Sequence, residues 1–244
     1  MADKPIVILI SPAPRPLRKP SVPPRPLLCD AWNRAIEEYF ADSNQVPFTV
    51  VEGKFNDVEP AVLRCDCIVS PANLFGITEG NFDLKLSYSF KGAGDEWRLT
   101  DHCQLFIRDR WHGYTTPGSC MIIPLQEDVA GKHNPWNASC TAIVLTIRTP
   151  EDVSWHRDIV YNSMWSLLAE ISLWNRFCAD NSERNMIQTV LMTGLGTRQG
   201  GIGAEKAARQ MILAVKHFLD DLPFPVRWKD VQTRTKEVEV LTEL

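Results

Sequence analysis

The chain has 244 residues, 44% of them hydrophobic and 23% charged, and its 26 Lys and Arg against 30 Asp and Glu leave a net charge of −4. At about 150 residues per domain this is one or two domains of ordinary globular composition, long enough to bury a core without staples. The acidic balance argues against a whole-surface nucleic-acid binder, though not against a local basic patch, and no apolar run nears the roughly 18 residues of a membrane span.

The run Ile6–Ile10 is apolar and β-branched with a proline on either side. It is too short for the apolar region of a signal peptide and predicts a buried first strand. The expected location is therefore cytoplasmic, nuclear or both. Pro12 to Pro26 holds seven prolines in fifteen residues, with Arg15, Arg18, Lys19 and Arg25 and no acid. Such a stretch forms neither helix nor sheet interior, so a Pro-rich surface loop is expected over residues 12–27. Its P-x-x-P spacings fit an SH3-type groove, but a surface insertion with no partner would look the same.

Apolar residues at 28, 31, 32, 35, 36, 39 and 40 predict a helix over Leu28–Ala41. Val46–Val51 and Cys67–Ser70 read as strands, and Phe82–Phe90 as a helix. Glu96–Arg110 is ambiguous, with helix favoured. Met121–Ile123 and Ala142–Ile147 read as strands, and Arg157–Cys178 as a long helix apolar on most sides. Ile187–Met192 is another apolar strand. The stripe 204, 207, 208, 211, 212, 215, 218, 219 predicts a helix over Ala204–Leu219. Residues 225–244 read as a charged, weakly patterned tail. Strands that are apolar runs, alternating with helices, indicate an α/β fold with a mostly parallel sheet covered on both faces. No internal repeat or clean boundary divides the chain, so residues 1–244 read as a single domain.

The seven cysteines, at 29, 65, 67, 103, 120, 140 and 178, are odd in number and irregularly spaced. They read as reduced, mostly buried thiols rather than a disulfide framework. Cys65-Asp66-Cys67 is the one close pair and no His pair complements it, so no metal site is expected. No cofactor is expected either.

Ligands of such sheets bind at the carboxyl ends of the strands. Two loops there carry unusual residues: Ser70–Asp83 after one strand, and Gly194–Gly203 after another. The second has five glycines in ten residues and opens into the helix at Ala204. Glycines let backbone N–H groups approach an anion, and a helix start adds a positive end, so the loop suits a phosphate. It lacks the Gly-Lys-Ser/Thr of a P-loop, and a tight turn with no ligand would read alike.

Taken together, the loops resemble those of the macrodomain family, which binds and sometimes hydrolyses ADP-ribose derivatives. Ser70-Pro71-Ala72-Asn73, Phe75-Gly76, Gly80 and Phe82-Asp83 match a macro-like branch of it. So do Gly194-Leu195-Gly196-Thr197, Gly200-Gly201 and Glu205–Met211. Gly118 and Arg148-Thr149-Pro150 fit its middle. The resemblance implies a three-layer α/β/α fold with a mixed, mostly parallel central sheet, and ADP-ribose or a related nucleotide as ligand.

Residue by residue, the resemblance implies that Asn73 contacts the distal ribose and that Gly76 and Gly80 let the first loop pass close to the ligand. Asp83 would stand where hydrolytic members keep a water-positioning carboxylate, so that Asp83 and Asn73 are the candidate catalytic pair of an ADP-ribose glycohydrolase. Phe75 and the loop residues Gly194, Gly196, Thr197, Arg198, Gly200 and Gly201 complete the candidate binding set. From the residues alone, Asn73 could equally hold its loop, and Asp83 could cap the following helix, whose N-terminus would favour its charged form. The chain departs from the family pattern at Lys54, where an Asp usually reads the adenine amine, and at Asn81 and Arg198, which replace glycines. Three functions follow: a nucleotide-binding module, a hydrolase, or a degenerate fold serving as an interaction module through its Pro-rich loop and exposed tryptophans.

Overall fold

A computed structural model describes residues 5–12, 27–43, 45–144, 152–180, 185–220 and 222–242. Most of the Pro-rich stretch and the Arg148-Thr149-Pro150 step lie outside the described residues. In chain order the elements are β1 (Ile6–Ser11), α1 (Leu28–Phe40), β2 (Phe48–Glu52), β3 (Cys67–Ser70), α2 (Asn81–Ser89), α3 (Arg98–Trp111), β4 (Cys120–Pro124), β5 (Cys140–Val144), α4 (Ile159–Asp180), β6 (Thr189–Met192), α5 (Ala204–Leu219) and α6 (Trp228–Thr242).

The strands form one six-stranded sheet in the order β2-β1-β6-β3-β5-β4. All neighbours are parallel except β4, which runs antiparallel to β5 at the edge. Side chains alternate between the two faces. Cys67 and Val69 of β3 join one core with Trp32 of α1, Leu167 of α4 and Met211 of α5. Ile68, between them, joins the other core with Leu86 of α2, Phe90 just after it, and Ile107 of α3. Both faces are covered, which is why the strands are apolar runs rather than alternating ones. The chain is therefore a three-layer α/β/α fold with a mixed, mostly parallel sheet. All seven cysteines are buried. Among the described residues no helix is long and apolar enough to cross a membrane.

The charged, weakly patterned segment after Pro225 holds a helix, α6, which packs on α5. Its partly or fully buried positions are Asp230, Val231, Arg234, Glu237, Val238 and Leu241, of which only Leu241 is fully buried. Three of these six are charged, so the stripe carries no apolar signature. Polar contacts do the docking. Arg234 donates to the Asp220 carbonyl at 3.0 Å and lies 5.7 Å from the Trp165 ring centre. Glu237 takes Lys216 at 3.3 Å and His217 Nε2 at 2.7 Å. An ionised carboxylate only accepts, so Nε2 carries the proton, and Nδ1 then accepts from the Tyr161 hydroxyl at 3.0 Å.

Burial holds the imidazole of His217 below its ordinary 6.5. As pH falls the unfolded chain takes up this proton first, so the α5–α6 contact loses stability below about pH 6.5. Replacing Glu237 with Ala strands a buried N–H donor. The variant is expected to lose about 1–3 kcal/mol of stability near neutral pH, read by urea denaturation. Parental stability in the variant would mean that the contact contributes nothing net.

Candidate functional site

At the carboxyl ends of β1, β2, β3 and β6 lies a cavity of about 520 Å³. Ser11 lines it from the end of β1, Gly53–Phe55 from the exit of β2, Pro71 from the exit of β3, and residues of Thr193–Gly200 from the loop after β6. Gly80, Phe82, Asp83 and Lys85 line it from the start of α2. The volume falls in the roughly 300–1,000 Å³ range of small-ligand sites.

The loop after β6 is folded against its own backbone. Gly196 sits at φ +65°, and a Cβ on Gly200 would stand 2.6 Å from the Gly196 carbonyl oxygen. That same carbonyl accepts from the Ile202 amide at 3.1 Å, while Gly201 donates to Arg198 at 3.2 Å. Val153 clamps the loop from outside by donating to the Gly200 carbonyl at 2.9 Å. Only glycine fits this approach of backbone to backbone. Among the described residues no backbone carbonyl accepts from the amides of Thr197, Gln199 or Gly200, all of which belong to the lining.

The helix end at the cavity is not the one the sequence suggests. The lining stops at Gly200, short of the start of α5 at Ala204, because Ile202 turns inward to pack on Gly196. The first turn of α2 faces the cavity instead, with Gly80 at its N-cap. Gly201 also lies outside the lining, where its Cβ position is 2.8 Å from the Asp152 carboxylate.

The first loop splits in two. Gly80, Phe82 and Asp83 reach the cavity, whereas Asn73, Phe75 and Gly76 do not line it. The Asn73 amide is spent on its own loop: Nδ2 donates to the Ile77 carbonyl at 2.8 Å, and Oδ1 accepts from the amides of Phe75 and Ile77 at 3.1 and 3.3 Å. Gly76, at φ +70°, packs so closely on Ile107 that a Cβ would stand 2.5 Å from its Cδ1. Phe75 points to the α3 side and meets Tyr114 with ring centres 5.4 Å apart. Thr78 anchors the rest of the loop through buried hydroxyl contacts with Ser87 and Thr100.

Asp83 occupies the first turn of α2 without capping it through its side chain. Its Oδ1 accepts a hydrogen bond of 2.8 Å from the hydroxyl of Ser70, the last residue of β3, and both side chains are buried. Burial pushes the carboxyl up to about 7, against the Ser70 hydrogen bond, which lowers it. The helix start is expected to favour the charged form, whereas burial raises the carboxyl toward neutrality. Among the described residues no cluster of His, Cys, Asp and Glu could hold a metal ion.

Of the sequence-derived candidates, Gly80, Asp83, Gly194, Gly196, Thr197, Arg198 and Gly200 therefore share one cavity. Phe55 and Lys85 also line it, and the motif comparison does not single them out. Lys85 is legible in retrospect, since it stands one helical turn from Phe82 and so on the same face.

Asp83 ionises at about 7 in the folded chain against the ordinary 3.8. Its contribution to stability is thus full below 3.8 and lost as pH rises to about 7. Asp83→Asn keeps an acceptor for Ser70 and carries no charge. Above neutral pH it is expected to be more stable than the parent by more than about 1 kcal/mol, with the difference shrinking toward acid pH. Urea denaturation across that range measures this, and a variant less stable than its parent at alkaline pH contradicts it.

No family model and no curated protein sequence matches the chain. Solved structures similar to it include the macrodomain of Mycobacterium tuberculosis DarG, at 14% identity and TM-score 0.46, covering 70% of this chain and 91% of that one. Another is a mutant of the Oceanobacillus iheyensis macrodomain with ADPR, at 14% identity and TM-score 0.47, covering 75% of this chain and 90% of that one.

Proposed function

We propose that the chain is a nucleotide-binding module that takes ADP-ribose or a related nucleotide in the cavity at the strand ends. One observation carries this reading: the backbone of the Gly194–Gly200 loop and the N-terminus of α2 line the same cavity. Backbone amides and a helix start are both suited to the oxygens of a diphosphate. The charged side chains of the lining agree, since Lys54, Lys85 and Arg198 oppose the one carboxyl of Asp83. The macrodomain-like motifs of both loops point to the same ligand class.

Calorimetric titration with ADP-ribose tests the proposal. Gly80 supplies the control, because its backbone, at φ −107° and ψ 131°, is open to any residue. A Cβ there has Gln199 Oε1 as its nearest neighbour, at 3.9 Å. Gly80→Leu is expected to fill the cavity and weaken binding at least about tenfold, or about 1.4 kcal/mol. It should cost about 1 kcal/mol or less in stability, the difference between Gly and an apolar N-cap. Absence of ADP-ribose binding, or binding unaffected by Gly80→Leu, overturns the proposal.

A hydrolytic reading has its own support. Asp83 is a buried carboxyl in the lining, held near 7, the range in which a carboxyl serves as general acid or base. In this reading Asp83 activates or orients water without Asn73. An assay on mono-ADP-ribosylated protein is expected to show turnover in the parent and none in Asp83→Asn, with ligand affinity kept within about tenfold. An inactive parent removes the hydrolase and leaves the binding module.

A further inference from the structure

We infer that the end of the cavity between Lys54 and Lys85 takes a phosphomonoester on the nucleoside ribose, so that the preferred ligand is an ADP-ribose-like nucleotide phosphorylated at its 2′ or 3′ hydroxyl. The inference rests on the nucleotide reading above and narrows it to a ligand class.

Phe55 and Phe82 meet edge to face with ring centres 5.1 Å apart, and Phe55 stacks on Trp136 at 4.4 Å. These contacts tie the exit of β2 to the start of α2, and both residues belong to the cavity lining. Phe55, 3% exposed and stacked on Trp136, backs the partly exposed Phe82, whose ring is the apolar surface on which a base can stack. The two lysines flank that surface. Lys54 directly precedes Phe55, Lys85 follows Phe82 by one helical turn, and both line the cavity.

The turn that carries Lys54 is fixed. Gly53 donates to the Ser11 carbonyl at 2.8 Å, and the Lys54 carbonyl accepts from the amides of Asp57 and Val58 at 2.8 and 3.2 Å. A Cβ at Gly53 would stand 2.4 Å from Val58 Cγ2, so the turn is closed on its inner side. The diphosphate of the proposed ligand has the glycine loop to hold it, so the two ammonium groups at the aromatic end remain for another anion. A base on the aromatic wall brings its own ribose to them. A phosphomonoester, close to a dianion at neutral pH, matches two cations where a hydroxyl matches neither.

Local carboxylates do not cancel that charge. Asp57 holds the Lys54 ammonium at 3.1 Å, but the two side chains are 62% and 64% exposed. An exposed pair of this kind is worth about 0–1 kcal/mol and yields to a dianion. Asp83, buried against Ser70, is pushed toward its neutral form.

The test is calorimetry at fixed ionic strength with two matched pairs of probes: ADP-ribose against its 2′-phosphate, and AMP against adenosine 3′,5′-bisphosphate. The parent is expected to bind at least one phosphorylated probe about tenfold or more tighter than its partner. Lys54→Met and Lys85→Met are each expected to pull that ratio toward one. Circular dichroism melting checks that both variants are folded. ADP-ribose binding without preference for either phosphorylated probe overturns this inference alone. A preference that both lysine variants retain overturns it as well, since the phosphate would then sit elsewhere. Failure of every probe to bind overturns this inference together with the nucleotide reading.

Discussion

The site depends on a single buried hydrogen bond, from the Ser70 hydroxyl to the Asp83 carboxyl. It joins the last residue of β3 to the first turn of α2, and so fixes both ends of the loop between them. Burying a carboxyl against one neutral donor leaves most of its hydration unreplaced, which is why the group titrates near neutrality. A chain selected for stability alone would place an apolar residue or an amide there. In the proposed reading, the stability given up at this cavity wall goes to a group that meets water or a ligand.

The two walls of the cavity are built by different means. The first loop is held by side chains, with the Asn73 amide spanning to Ile77 and the Thr78, Ser87 and Thr100 hydroxyls clustered beneath. The second is held by backbone on backbone, with Gly200 seated on Gly196 and both glycines free of any Cβ. A side-chain clasp leaves the loop's tip, Phe75, exposed toward α3. A backbone clasp keeps the loop thin where the proposed ligand would come close. The glycines thus serve packing first, and room for an anion would follow from the same geometry.

Much of this was legible in the sequence because of burial. β3 is covered on both faces and reads as the run Cys67–Ser70 with its observed bounds, and the single apolar stripe of α5 fixes Ala204–Leu219. α6 was not legible, because Arg234 and Glu237 dock it and an apolar-pattern reading counts them as surface. The site was legible in part. Motif spacing groups Asp83 with Gly194–Gly200, and both line the one cavity, since strand ends of a parallel sheet converge on one edge. It does not tell that Asn73 turns into its own loop, because an Asn that caps a turn and one that reads a ribose are the same letter. Nor does it foresee the state of Asp83, which is set by its burial beside the Ser70 hydroxyl.

An acidic chain can still present a cavity whose lining suits an anion. The net −4 is a sum over the whole sequence, and at physiological salt, charges beyond about 8 Å are largely screened. What a ligand meets is the lining. There Lys54, Lys85 and Arg198 stand on three separate segments, the β2 exit, α2 and the β6 loop. The one carboxyl among them is partly neutralised by burial rather than by an ion pair with its neighbours. Burial of Asp83 thereby does two things at once. It holds a proton at the cavity wall, and it withholds a negative charge that would otherwise cancel one of the three cations.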